Sequence, residues 1–242
     1  MRNFTLLITI ILFVLTGMYY SVFSQQSDTL YIRMGENGKI RFARFAVNDS
    51  SNRKMAKDTI FLKSILGTTQ DDEFRLKREN TDELGITHKR FQQYYKGIKV
   101  ENANYLLHGK NGNIDVINGS FQIINIPTIL PAITEQQALS AALDYVGSDI
   151  YKWEDERMEN FIKRRRNDTT ATYYPQGELV IAKDNLTGSN SFKLSWKFSI
   201  SSLQPDNAQI IFVDANNGDV IRDKALIINS NVTGGCKKDE FL

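Results

Sequence analysis

The chain has 242 residues, 41% of them hydrophobic, with 30 lysines and arginines against 28 aspartates and glutamates. That composition supplies a packed core, and the near-neutral balance excludes a broadly basic nucleic-acid surface. The single cysteine, Cys236, excludes an internal disulfide and any CxxC metal or redox motif.

The N-terminus reads as an export leader. Met1 and Arg2 precede an apolar run from Phe4 to Val14, and Val22 and Ser24 place short side chains ahead of Gln25. Residues 1–24 are thus expected to be a signal peptide cleaved after Ser24. The run from Phe4 to Phe23 is also about long enough to span a bilayer, but Tyr19, Tyr20 and Ser21 crowd its end and a cleavage site follows. After cleavage no second apolar run points to a membrane. The expected location is the cell envelope or the medium.

Residues 25–57 hold a predicted hairpin, 30–34 and 40–45 around Gly35 and Gly38, and then a polar loop. Asp58 is placed to cap a helix over 59–66, with Ile60, Phe61, Ile65 and Leu66 on one face and Gly67 ending it. Strands are expected at 74–78, 86–95, 98–100, 105–108 and 114–116. Gly97 and the Lys110-Asn111-Gly112 turn connect them. Pro127 and Pro131 mark a linker at 127–131.

A second unit then begins. Thr134 and Gln137 form a capping box, with Ile133 and Ala138 as the hydrophobic staple. Ala138, Leu139, Ala142, Leu143 and Val146 lie on one helical stripe closed by Gly147. Residues 150–170 are charged and end in Lys163-Arg164-Arg165-Arg166. Pairing with Glu154, Asp155, Glu156 and Glu159 at i,i+4 on an exposed helix is the economical reading. Strands follow at 179–182, 192–201 and 210–213, and Asn216-Asn217-Gly218 turns the chain into Val220 and Ile221. Each unit is a helix and then an antiparallel meander. The fold class is α+β, as two small cystatin-like modules, each a helix packed on an antiparallel sheet.

The catalytic inventory is bare. There is no HExxH, no glycine-rich phosphate loop and no G-x-S-x-G elbow. Asp71-Asp72-Glu73 lacks the spaced oxygen ligands of a calcium loop. The two histidines, His88 and His108, stand apart in sequence with no ligand cluster around them. No catalytic residue, metal or cofactor is expected.

One stretch carries a resemblance. Residues 85–100, with His88, Arg90-Phe91-Gln92-Gln93, Tyr95, Gly97 and Val100, followed by His108 and Gly112, resemble the fungalysin/thermolysin propeptide domain. Residues 58–126 are expected to form it. Asn102-Ala103-Asn104 departs from the family pattern. Residues 132–228 resemble the PepSY-type module that follows in such pro-regions, through Thr134-Glu135-Gln136-Gln137-Ala138-Leu139 and the Asp214 to Gly218 turn.

The resemblance implies a secreted, non-catalytic pro-region of a thermolysin-like zinc metalloprotease. It implies a catalytic domain as partner, inhibited and assisted in folding by this chain. The alternative is a stand-alone exported binding or envelope protein reusing PepSY-like modules. The motif residues either contact the protease or hold the domain's own fold, and the structural role is the favoured one. In the tail at 229–242, Asn231-Val232-Thr233-Gly234 resembles the usual approach to a catalytic domain, and Gly235 to Leu242 then breaks away, which reads as a truncation and equally fits a stand-alone inhibitor.

Overall fold

The computed structural model describes residues 29–46 and 52–226. The leader, part of the 48–57 loop, and the tail with Cys236 lie outside the described residues. The first unit comprises β1 (Thr29–Met34), β2 (Ile40–Phe45), α1 (Asp58–Leu66), β3 (Asp72–Thr81), β4 (Thr87–Tyr95), β5 (Ile98–Gly109) and β6 (Val116–Gly119). The second comprises α2 (Glu135–Val146), β7 (Ile150–Tyr151), α3 (Glu156–Arg166), β8 (Glu178–Lys183), β9 (Phe192–Gln204), β10 (Asn207–Asp214) and β11 (Val220–Ala225). The fold is α+β.

Each unit buries one helix on its own meander. Phe61, Leu62 and Leu66 of α1 join Phe45, Phe74, Phe91, Tyr105, Leu107, Ile114 and Ile117 in one core. The face of α1 differs from the expected one: Leu62 is fully buried, whereas Ile60 is 67% exposed. Phe61, Leu62, Ile65 and Leu66 fall at i, i+1, i+4 and i+5, a single stripe that leaves Ile60 outside it. Asp58 is the first helical residue rather than the cap. Its carboxylate accepts from Thr59 N at 2.6 Å and pairs with Lys89 Nζ at 2.7 Å.

The second core follows its expectation closely. Thr134 and Gln137 complete the capping box, Gly147 closes α2 in the left-handed region, and Ala138, Leu139 and Ala142 are buried. They pack on Phe198, Ile200, Ile211 and Val213. The charged segment does form a helix, α3, but its acidic side chains do not pair with the basic run. Asp155 caps the helix through Arg157 N and Met158 N, and Glu159 accepts from Tyr173 N at 2.8 Å. Backbone N–H groups at a helix start and in a loop lack other partners, so they claim the carboxylates first.

The two meanders share one sheet. Its order is β1-β2-β6-β5-β8-β9-β10-β11, with β4 and then β3 on the other edge of β5. Residues expected as two short strands, 98–100 and 105–108, form the single strand β5. One edge of β5 pairs with β6 over Tyr105–His108 and, in parallel, with β8 at Lys99 and Val100. Between these contacts β5 bulges: Gln92 faces Asn104 but Tyr94 faces Lys99, and Asn102 takes φ 59°. A bulge twists and redirects a strand. Here it lets one strand serve both units.

Candidate functional site

The residues that carried the resemblance cluster on β4, β5 and β6. Lys96 and Gly97 both take positive φ, 47° and 81°, between the paired residues Tyr95 and Ile98. That is the two-residue hairpin whose twist suits antiparallel strands. Phe91 is 1% exposed in the first core, and Val100 is buried with Tyr95 against it in the cluster joining the units.

Phe91, Gln92 and Gln93 are all buried, so alternation breaks at the bulge. Arg90 alone of the Arg-Phe-Gln-Gln run is exposed, and Gln92 does not share its surface. Gln92 Nε2 instead shares its two hydrogens among the carbonyls of Gln93, Val100 and Ala103, at 3.0, 2.6 and 3.0 Å. Those carbonyls lie where the ladder is interrupted, and the amide supplies the donors that the missing partner strand would have supplied. Gln93, fully buried, exchanges two hydrogen bonds with the backbone of Gln122 and donates to Asp72 Oδ1 at 3.0 Å.

The two histidines meet. His88 and His108 are directly opposed across β4 and β5, with Nδ1 atoms 2.6 Å apart and rings at 73°. His88 Nε2 lies 3.1 Å from Asp82 Oδ2, and His108 Nε2 lies 2.9 Å from Asn118 Oδ1. Asp82 is itself held in the β3–β4 turn. The N–H of Ile86 and then the imidazole of His88 keep its carboxyl below the usual carboxylate range. Their separation in sequence concealed this pair, because nothing local to either residue signals the register that joins them. Gly112, at φ 76°, turns the chain just beyond, and its carbonyl accepts from Met55 N at 2.8 Å.

In the second unit, Asp214 is buried at the end of β10. It accepts from Asn216 N at 2.9 Å and pairs with Lys193 Nζ at 3.1 Å, while Gly218, at φ 86°, completes the turn. Lys193 also reaches Asp184, which is fully buried. Burial pushes the Asp184 carboxyl up, but bonds from Thr187, Ser189 and Lys193 outweigh it and hold the group well below the usual range. This cluster clamps the loop after β8 to the turn after β10.

Where the units join, four charges form a closed ring. Glu101 Oε1 lies 2.9 Å from Lys99 Nζ and 3.1 Å from Lys197 Nζ, and Glu178 lies 3.2 and 3.1 Å from the same two ammonium groups. Lys99 and Glu101 come from β5, Glu178 from β8 and Lys197 from β9.

Residues 72–121 match the Fungalysin/Thermolysin Propeptide Motif, and residues 132–224 match the Peptidase propeptide and YPEB domain. The chain carries a fungalysin/thermolysin propeptide motif followed by a PepSY domain. It is 24% identical over 165 residues to Bacillolysin of Bacillus amyloliquefaciens, an alignment covering 67% of this chain and 29% of that relative. The chain thus matches less than a third of that relative's length. Among solved structures, the Bacillus megaterium YpeB C-terminal domain aligns over 78% of this chain and 73% of its own at 14% identity, with a TM-score of 0.35.

The ring of charges therefore spans the junction of propeptide motif and PepSY domain. Burial pushes the Glu101 carboxyl up, but hydrogen bonds and charge from Lys99 and Lys197 outweigh it and lower it from its ordinary 4.5. A lowered carboxyl stabilises the fold above its unfolded value and loses that contribution as pH falls through the folded one. Glu101→Gln is expected to cost about 1–2 kcal/mol at neutral pH. That difference from wild type should shrink once pH drops below 4.5. Urea unfolding of both proteins at pH 7 and pH 3 checks this; an equal difference at both would show that charge is not the cause. Asp82, Glu101 and Lys197 escaped the reading of the sequence, since each acts through a neighbour on another strand or turn.

Proposed function

We propose that this chain acts as the secreted, non-catalytic pro-region of a thermolysin-like zinc metalloprotease, inhibiting the catalytic domain and assisting its folding. The observation that carries this reading is the order of the two matched units, propeptide motif then PepSY domain, within one continuous sheet. A fused sheet presents both units to a partner as one surface with little orientational freedom to lose on binding. The described residues contribute no group of three or more His, Cys, Asp and Glu able to hold a metal. The proposed activity is binding, with the protease supplying the chemistry.

Within the signature, the buried Phe91, Gln92 and Gln93 serve the fold, and Arg90 is the member available to a partner. Export would follow from the leader at residues 1–24. The test adds purified chain to an active thermolysin-like catalytic domain and, separately, to the same domain during refolding. Dose-dependent inhibition or a raised refolding yield is expected, with Arg90→Glu weakening the effect and leaving the unfolding midpoint unchanged. Absence of both inhibition and improved refolding would overturn the reading. Capture of non-protease envelope partners would favour the stand-alone alternative.

A further inference from the structure

We propose that His88 and His108 form a two-imidazole site for a divalent transition metal, of the Zn²⁺ or Cu²⁺ class, on the outer face of the propeptide motif. The argument begins with the tautomers. Each Nε2 faces a side-chain oxygen, Asp82 Oδ2 at 3.1 Å and Asn118 Oδ1 at 2.9 Å. The Asp82 carboxylate only accepts, so His88 Nε2 carries its hydrogen, and the Asn118 amide, with its oxygen toward His108, asks the same of His108 Nε2. With both Nε2 atoms so engaged, the two Nδ1 atoms face each other across 2.6 Å and hold at most one proton between them. Two imidazole nitrogens placed this way share one proton, and a metal ion can take that proton's place.

The surroundings are those of metal-binding imidazoles. A ligating histidine characteristically gives its second ring N–H to a carboxylate or carbonyl, which fixes the tautomer and aims the ring. Here both rings have such a partner, and the four groups come from the β3–β4 turn, β4, β5 and β6. Imidazole pairs suit Zn²⁺, Cu²⁺ and Ni²⁺. Two metal–nitrogen bonds at a tetrahedral angle require nitrogens ~3.3 Å apart, so the rings must part by about 0.7 Å. The His88 side chain is 31% exposed, which leaves room for that rotation and for water to complete the coordination. Among the described residues no third His, Cys, Asp or Glu joins the pair.

The test uses the full chain carrying Cys236→Ser, which removes the one competing thiol, titrated with ZnCl₂ by calorimetry and with CuCl₂ by electron paramagnetic resonance. One equivalent of each metal is expected, with hyperfine structure from two imidazole nitrogens. His88→Gln and His108→Gln should each weaken binding at least tenfold and leave one coupled nitrogen. Asp82→Asn, acting through His88, should weaken it about tenfold while both nitrogens remain. Circular dichroism confirms that each variant is folded, and the His88→Gln/His108→Gln double variant sets the background. Binding no tighter than that background would overturn the proposal and leave a single shared proton as the occupant. Unchanged spectra in the histidine variants would overturn it as well.

Discussion

Replacing Gln93 with leucine is expected to cost about 3–5 kcal/mol, a large share of the stability of a domain this size. The side chain is fully buried and spends its whole amide on three partners. Its oxygen accepts from Gln122 N at 2.9 Å, and its nitrogen donates to Gln122 O at 2.8 Å and Asp72 Oδ1 at 3.0 Å. Leucine matches its volume and offers none of these bonds. The Gln122 peptide and one oxygen of the nearly buried Asp72 would lose partners without gaining water, and an unmade buried bond costs more than a made one contributes. Gln122→Ala is the control. It keeps the backbone groups that Gln93 uses and should cost under about 1 kcal/mol. Urea unfolding followed by far-ultraviolet circular dichroism gives the first measure. Trp153 and Trp196, both in the PepSY domain, report that unit by fluorescence. Because β5 belongs to both meanders, the fluorescence midpoint should shift with the dichroism midpoint. A fluorescence transition left in place would show that the units unfold independently.

Gly109→Ala should be similarly severe, at about 3 kcal/mol or more. A Cβ at Gly109 would lie 1.7 Å from the carbonyl oxygen of Asn113 and 2.8 Å from its carbonyl carbon. The obstacle is backbone, so no rotamer relieves it. The turn holding Asn113 is fastened on its far side: Ile114 N donates to Arg53 O and Met55 N to Gly112 O, both just ahead of α1. Moving the turn therefore disturbs the approach to the helix that fills the first core. Gly112→Ala provides the comparison. Nothing lies within 4 Å of its Cβ position, and only its φ of 76° opposes a side chain. A left-handed conformation costs an ordinary residue about 1–2 kcal/mol. The expected order is Gly109→Ala far above Gly112→Ala, read from urea midpoints. The reverse order would mean that the turn moves freely.

These two positions mark how much was legible beforehand. Gly112 announces itself, because Lys110-Asn111-Gly112 between apolar runs is turn chemistry readable within three residues. Gly109 sits in a strand and looks like a weak β-former; its need for glycine comes from a chain segment folding back over it. Gln92 and Gln93 are visible as part of a signature, yet strict strand alternation would put Gln92 beside Arg90 on one face. The bulge in β5 overrode the alternation and buried both glutamines.

The same division holds across the molecule. Local sequence determined the α2 helix, from Thr134 and Gln137 at its start to Gly147 at its end, and the hairpin at Lys96 and Gly97. It also determined that in each unit a core helix precedes a run of antiparallel strands. Such features are decided within a few residues, by capping groups, positive-φ positions and apolar period. Tertiary structure alone decided that His88 faces His108, that Glu101 and Lys197 share a ring across the junction, and that β5 runs parallel to β8. Each of those depends on strand register set by packing between segments far apart along the chain.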